Sequence, residues 1–410
     1  MKASERPMAK VIDICSKIPG VLDRYTERQQ TVFTQIKNCR TEFMGVNVYT
    51  CSNSECGHRE SRYVSCKNRN CSICSWLPRE KWKLQRSNDM IPSTSYYHYV
   101  FTIPYELSQI CSANKSEVQG LLFRSVAETL KSFEKTHCKD GKIGFIQCLH
   151  TWSTRLLEHS HIHVIMPGGY LKDDVWYDMP DYMFPQKALA VKFRGVFCSG
   201  LRRLYKKKPF HLPGHLCTLS DPKVWGEFMD SNYKRHWHVH VEPTRGGDPM
   251  KLVGYLSNYV YKTAIDHSRI QHVDSEKVVF KCRPRDKSSN EKWESVTLSP
   301  EAFLGRFAKH IQPKGFTQIR YYGILGGGVK KKHLATIFAQ KGKCEVKVNQ
   351  DIHRSTCEVI LENSGHGDLM LCPHCGSRML SIWEQIRQRE QRGPPLDITE
   401  NEIAKANRCA

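Results

Sequence analysis

The run His159-Ser160-His161-Ile162-His163-Val164-Ile165-Met166 limits the folds open to this chain more than any other stretch. Successive side chains of a β-strand point to opposite faces, so residues two apart share one. As a strand, the run places His159, His161 and His163 on one side and sends Ile162 into the sheet on the other. Pro167-Gly168-Gly169 follows it. His161 and His163 can offer two imidazoles to one divalent ion, Mg²⁺ or Mn²⁺. His159 on the same strand and His150 on the preceding one are candidates for a third ligand. An ion held there would polarise a phosphate and orient it for in-line attack.

The flanking sequence supplies the sheet. Tyr96-Tyr97-His98-Tyr99-Val100-Phe101-Thr102-Ile103-Pro104 is rich in β-formers and stops at proline, which reads as a strand. Residues 116–135 carry Val118, Leu121, Leu122, Val126 and Leu130 at helical spacing. Gly144 through Trp152 reads as a second strand, joined to the histidine strand by a connection short enough for an antiparallel pair. Strand, helix, strand, strand predicts an α+β sheet covered by helices on one face. Residues 188–206 read as a further helix. Arg202 and Arg203 on it belong to a basic set suited to a DNA strand.

Charge points to the partner. The 410 residues hold 62 Lys and Arg against 41 Asp and Glu, a net charge of +21. Such a surplus suits a polyanion through phosphate contacts and counterion release. No segment approaches the roughly 18 apolar residues that span a bilayer, and the start MKASERPMAKVID lacks the apolar stretch of a secretory signal. The expectation is a cytoplasmic protein with no membrane partner. Its 18 cysteines are then metal ligands or free thiols rather than disulfides.

Residues 11–44 have the texture of amphipathic helix. Beyond them, Cys51-x4-Cys56-Gly57 is followed by Cys66-x4-Cys71-x2-Cys74. Two thiolate pairs across a hairpin-length stretch suit tetrahedral, structural zinc. Five cysteines compete for four positions. Cys51, Cys56, Cys71 and Cys74 are the expected ligands, because Cys71-x2-Cys74 is the tightest chelating pair, with Cys66 the alternate. Arg62, Lys67 and Arg69 lie among them as candidate DNA contacts. Near the other end, Cys372-x2-Cys375-Gly376 is half of a zinc ribbon. Its available partners Cys357, His353 and His366 stand at unpersuasive spacing, and residues 380–410 read as a polar, mobile end.

Gly246-Gly247-Asp248-Pro249 precedes Gly254-Tyr255-Leu256-Ser257-Asn258-Tyr259-Val260-Tyr261. On a helix started by that turn, Tyr255 and Tyr259 share a face and Tyr261 lies off it. A tyrosine stripe is more often core than nucleophile. Beside a metal site, though, paired phenols suit attack on phosphate, which yields a phosphotyrosine link whose bond energy is kept for rejoining.

Taken together, these stretches resemble the two-tyrosine rolling-circle transposases of the insertion sequence ninety-one family, which share the His-hydrophobe-His nuclease fold. The matching stretches run in order: Cys56-Gly57-His58, Ser65 through Cys71, His98 through Pro104, Leu149-His150-Thr151-Trp152, the histidine run, Phe193-Arg194-Gly195, Leu201 through Tyr205, the tyrosine helix, and Gln312-Pro313-Lys314-Gly315-Phe316 through Gly323. The resemblance implies a zinc-binding N-terminal region, a metal on His161 and His163, and Tyr255 and Tyr259 as nucleophiles. It also implies a DNA strand transferase that acts on single-stranded element ends and a target. Three features depart from the family's pattern: the x4 spacing of the first cysteine pair, Ser153-Thr154 after Trp152, and Gly326-Gly327-Gly328. The expected domains are 1–95 (helical, zinc-binding, DNA-contacting), 96–335 (catalytic) and 336–410 (a tail with the half ribbon). The rival readings are a replication initiator or relaxase with the same chemistry, and a catalytically inactive zinc-dependent DNA-binding regulator.

Overall fold

The computed structural model describes residues 6–179, 184–244, 249–284, 292–342, 360–362 and 365–381. The sequence expectations for Gly246-Gly247-Asp248, His353, Cys357 and residues 382–410 lie outside them. Helices α1 (Pro7–Ser16) and α2 (Glu27–Lys37) open the chain. Strands β1 (Val46–Cys51) and β2 (Arg59–Tyr63) and helix α3 (Trp76–Ser87) follow. The continuous helical texture over 11–44 is thus two helices, separated where Thr26 and Gln29 form a reciprocal capping box that restarts the backbone.

The central part runs β3 (Tyr96–Thr102), α4 (Tyr105–Ala113), α5 (Gly120–His137), β4 (Gly144–Trp152), β5 (Glu158–Pro167), the ribbon β6 (Gly169–Lys172) and β7 (Val175–Asp178), α6 (Gln186–Lys207), α7 (Pro222–Lys234), β8 (Val239–Thr244) and α8 (Pro249–Val260). Gly169 is required at the start of the ribbon, because a Cβ there would lie 2.4 Å from the Trp176 ring and 2.5 Å from the Tyr177 carbonyl oxygen. Next come β9 (Ile270–Val273), β10 (Val278–Cys282), β11 (Glu294–Leu298), α9 (Pro300–Ala308), β12 (Ile319–Gly323), α10 (Lys330–Lys341) and β13 (Met379–Ser381).

Five strands form the main sheet in the order β12-β4-β5-β3-β8, and every neighbour is antiparallel. The α+β antiparallel class expected from the sequence is what forms. On one face Tyr99, Phe101, Phe145, Leu149, Ile162 and Val164 pack against α5 and α6 through Leu122, Val126, Phe193 and Phe197. The opposite face is not open, which corrects the expectation of helices on one face only. There Ile146 and Ile165 pack against Val253, Leu256 and Val260 of α8, with Trp82 of α3 in the same cluster. Helix α8 is apolar along that stripe, and burial at roughly 25 cal/mol per Å² holds it on the sheet.

A second core joins α1 and α2 to α9 and β10 through Val11, Ile12, Val32, Phe33, Phe280 and Phe303. The short strand β13, from the far end of the chain, pairs with β1. Among the described residues, no helix is long and apolar enough to cross a membrane.

One buried histidine ties the two cores. His310 is 2 % exposed, with Nδ1 at 3.2 Å from Thr151 Oγ1 and Nε2 at 3.2 Å from the Leu156 carbonyl oxygen. Burial lowers it to about 4. As pH falls below 6.5, the unfolded chain takes up this proton first. The stability present above 6.5 is therefore lost between 6.5 and about 4. From pH 7 to pH 5 this group alone should cost roughly 2 kcal/mol. His310→Gln should be less acid-sensitive by that amount in denaturant unfolding at the two pH values. Equal acid losses in both proteins would refute the assignment.

Candidate active site and metal centres

Antiparallel register assembles the histidines. His150 pairs with His161, Cys148 with His163, and His163 with Val100, two residues on from His98. Paired residues point to one face, so β4, β5 and β3 deliver four imidazoles to the same patch. His98 in turn pairs with Glu242 on β8.

The nitrogens of His150, His161 and His163 lie within 4.8 Å of one another. His163 Nε2 is 3.0 Å from His150 Nδ1, and His163 Nδ1 is 2.8 Å from His98 Nε2. His161 Nδ1 meets the His159 carbonyl oxygen at 2.8 Å. The structure therefore gathers His150 with His161 and His163. His159 is not in that group; its ring packs 4.9 Å from that of His161.

Hydrogen-bond directions follow from one fixed acceptor. His150 Nε2 faces the Tyr259 carbonyl oxygen and must donate to it. Neutral His150 therefore carries its proton on Nε2 and keeps a lone pair on Nδ1, which faces His163 Nε2, while His163 Nδ1 and His98 Nε2 share one proton between them. Burial keeps the rings neutral: it lowers His150 to about 3 and His98 to about 4, and takes His161 and His163 well below the ordinary value. Lys262 lowers His150, His161 and His163 further, and Arg69 also lowers His150. Neutral imidazoles are the form that ligates metal. Three imidazoles make a nitrogen donor set, which suits a transition-metal ion better than oxygen-seeking Mg²⁺.

Helix α8 lays the tyrosines over this cluster. The Tyr259 ring is 4.6 Å from the rings of both His98 and His163. Tyr259 donates its hydroxyl to Tyr255 at 3.1 Å, and Tyr255 donates to Glu242 Oε2 at 2.9 Å. Burial, followed by the hydrogen bonds to Tyr259 and Glu242, raises Tyr255 above the ordinary phenol range. Tyr261 stands apart, in the apolar cluster with Tyr321. Sequence reasoning passed over Glu242 and His98. The alternation Val239-His240-Val241-Glu242 beside a second His-containing strand is the signal that could have found them.

The thiols are arranged differently from expectation. Cys39, Cys66, Cys71 and Cys74 form one group, and Cys51, Cys56, Cys372 and Cys375 another. In the first, Cys39 and Cys74 are 3.4 Å apart, Cys66 and Cys74 3.6 Å, and Cys39 and Cys71 4.0 Å. A zinc–sulfur bond of about 2.3 Å implies a tetrahedral edge of about 3.8 Å, so the spacing fits. Hydrogen bonds from Cys66 and Cys71 lower Cys39 to about 7, and the surrounding thiols lower Cys74 as well.

The expected set Cys51, Cys56, Cys71 and Cys74 is therefore split between two groups. Strand β1 and the turn after it carry Cys51 and Cys56 away from the helix start that holds Cys71 and Cys74. Cys66, the alternate, belongs with Cys71. Cys39, just past α2, was invisible as a ligand because it stands 27 residues from its nearest partner. His366 packs on Trp76 rather than on the Cys372 pair.

Of the basic candidates, Arg62 pairs with Glu60 at 3.0 Å and covers the Tyr49 ring. Arg202 pairs with Asp230 at 2.6 Å. Lys67, Arg69 and Arg203 are exposed. Arg69 acts electrostatically on Cys148 and His150, so the cysteine module brings a cation to the histidine face of the sheet.

A family model described as "Putative transposase" matches residues 144–333, and one described as "Transposase zinc-binding domain" matches residues 13–103. The curated relative "Putative transposase y4qJ" of Sinorhizobium fredii is 33% identical over 311 residues, 75% of this chain and 77% of that protein. The chain belongs to the IS91 family of transposases. "Transposase for insertion sequence element IS801" of Pseudomonas savastanoi pv. phaseolicola is 28% identical over 312 residues, 74% of this transposase and 72% of the relative. No solved structure matches the chain.

The histidines of β4 and β5, Glu242 and both tyrosines of α8 fall inside the first matched region. The Cys39 group falls inside the second and fits a structural zinc. Cys39→Ser should accordingly release roughly one equivalent of zinc per chain, whereas Cys111→Ser, in the main core, should release none. Elemental analysis of the purified variants decides it; unchanged zinc in Cys39→Ser would return the ligand set to the cysteines nearer in sequence.

Proposed function

We propose that this transposase cuts single-stranded DNA at the ends of its mobile element by tyrosine attack on phosphate, holds a 5′-phosphotyrosine intermediate, and rejoins the strand to a target by reversing the step. The observation that carries this reading is the two phenol hydroxyls of α8, 3.1 Å apart, beside three neutral imidazoles. The likeness to the IS801 transposase and the charge of +21 support DNA as the partner.

His161, His163 and His150 would hold the divalent ion, Mn²⁺ or Mg²⁺, and the ion when bound supplies Lewis-acid polarisation of the scissile phosphate. The protein's own residues do the rest. A tyrosine oxygen forms the new bond to phosphorus, and the 3′ oxygen leaves with the electron pair of the broken P–O bond. The phenol proton must depart as the oxygen attacks. Glu242 accepts it from Tyr255 directly, or from Tyr259 through Tyr255, and returns a proton to the leaving oxygen. Rejoining runs the same transfers backwards. Two nucleophiles allow one strand to be held covalently while a second is cut. Arg69, Lys67 and Arg62 on the cysteine module, with Arg202 and Arg203 on α6, are proposed to track the backbone by phosphate contacts. In domain terms, residues 1–95 would grip DNA, 96–335 would cut it, and 336–410 would form an appended segment.

Tyr255→Phe and Tyr259→Phe should each leave some cleavage of labelled element-end oligonucleotides while blocking complete transposition. The double variant should form no covalent adduct on a denaturing gel. His161→Ala should lose cleavage and keep DNA binding. An adduct surviving in the double variant would move the nucleophile elsewhere, with Tyr261 tested first.

Glu242→Gln keeps an acceptor for Tyr255 but removes the base. Cleavage should fall by roughly 10²- to 10⁴-fold, a typical value for a lost general base, with oligonucleotide affinity unchanged. Wild-type cleavage rates in Glu242→Gln would exclude the proton relay.

A further inference from the structure

The residues matched by the zinc-binding family model end at 103, yet half of the second thiol group comes from positions 372 and 375. We propose that Cys51, Cys56, Cys372 and Cys375 bind a second Zn²⁺, which staples the C-terminal segment to the β1–β2 hairpin of the N-terminal module.

Four observations support the site. The sulfurs lie within 4.8 Å of one another, with Cys51 and Cys375 at 3.4 Å and Cys56 and Cys372 at 3.8 Å. These separations match the roughly 3.8 Å edge of a zinc tetrathiolate and exceed the roughly 2.05 Å of a disulfide.

Each thiol pair sits on a tight turn that ends in a left-handed glycine. Gly57 (φ +60°) follows Cys56, and Gly376 (φ +70°) follows Cys375. Backbone bonds close both turns: Cys56 N–H donates to the Asn53 carbonyl, and Gly376 N–H donates to that of Cys372. The Asn53 N–H also points at Cys51 Sγ, 3.4 Å away. Two such knuckles facing each other make a closed four-ligand site with no position left for substrate.

Strand pairing sets the register. Cys51 pairs with Met379 and Thr50 with Leu380, while Ser52 N–H donates to the Arg378 carbonyl. This brings the two cysteine turns to the same end of the small sheet.

The last observation is the small size of the core around β13. Its strand is three residues long, and the local core consists of Cys51, Cys372 and Met379, with Tyr49 and Cys56 against it. A core of that size ordinarily depends on a metal or a covalent staple. The ligands are separated by more than 300 residues of chain, so the bound ion would join the two ends of the described structure.

The test begins with wild-type protein, purified without added metal and probed with a thiol-alkylating reagent under native conditions. Exposed Cys217 should be labelled throughout. Cys375 is equally open to solvent, yet it should be protected together with Cys51, Cys56 and Cys372, and all four should become reactive together when zinc is chelated. Labelling of Cys375 at the rate of Cys217 before chelation would overturn the proposal. In the second arm, Cys51→Ser and Cys375→Ser, at opposite ends of the chain, should each release about one equivalent of zinc and retain that of the Cys39 group. Cobalt-loaded protein should lose roughly half of its thiolate-to-metal absorbance in either variant. Full zinc content in either variant, or iron in place of zinc, would equally overturn it.

Discussion

The histidine cluster depends on the pairing of β5 with a strand on each side. Alternation within β5 sends its even-numbered residues into the main core and its odd-numbered ones to the opposite face. Antiparallel register then sets His150 beside His161, and His98 two residues from the partner of His163. A slip of one residue in β5 would send His161 and His163 into the apolar layer against α5 and α6. The core therefore fixes the histidines: Ile162 and Val164, fully buried, cannot exchange faces with His161 and His163. Helix α8 completes the patch from above, since burying its apolar stripe on Ile146 and Ile165 leaves Tyr255 and Tyr259 over the rings.

The electrostatics follow from the same packing. Burial removes the charged form of each imidazole, and Lys262 adds to the effect. A cluster of four histidines would repel itself if charged; neutral, its rings keep lone pairs available, while His150 Nε2–H is held by the Tyr259 carbonyl. Lys262 and Arg69 thus add positive charge beside imidazoles that are themselves uncharged. Glu242 is the acidic group at this edge, and it meets the phenols rather than the imidazoles most closely, with His98 Nδ1 at 4.0 Å and Tyr255 at 2.9 Å.

Much of this could be read from the chain alone, where a feature was local and periodic. Strands β3, β4 and β5 of the main sheet, the long helices α5 and α6, and the shared face of Tyr255 and Tyr259 each follow from a repeat of two or about four residues. The alternation of His159, His161 and His163 gave their shared face but not which of them would cluster. His150 joined the cluster because β4 pairs in one particular register, and His159 fell outside it at the strand's edge. His98 and Glu242 escaped notice for the same reason: each is unremarkable on its own strand and gains meaning only from its neighbour across the sheet.

The cysteines mark the boundary most clearly. Spacing along the chain made Cys71 and Cys74 a chelating pair, because three residues apart in a turn is a geometry the backbone imposes by itself. It could not say which thiols complete the set. Cys39 reaches that pair through the packing of α2 against the second core, and Cys51 and Cys56 turn instead toward Cys372 and Cys375, brought back by the pairing of β13 with β1. Local periodicity, turn chemistry and charge are written in consecutive residues. The partners in a cluster drawn from both ends of a chain are set by long-range contacts, which exist only once the sheets have formed.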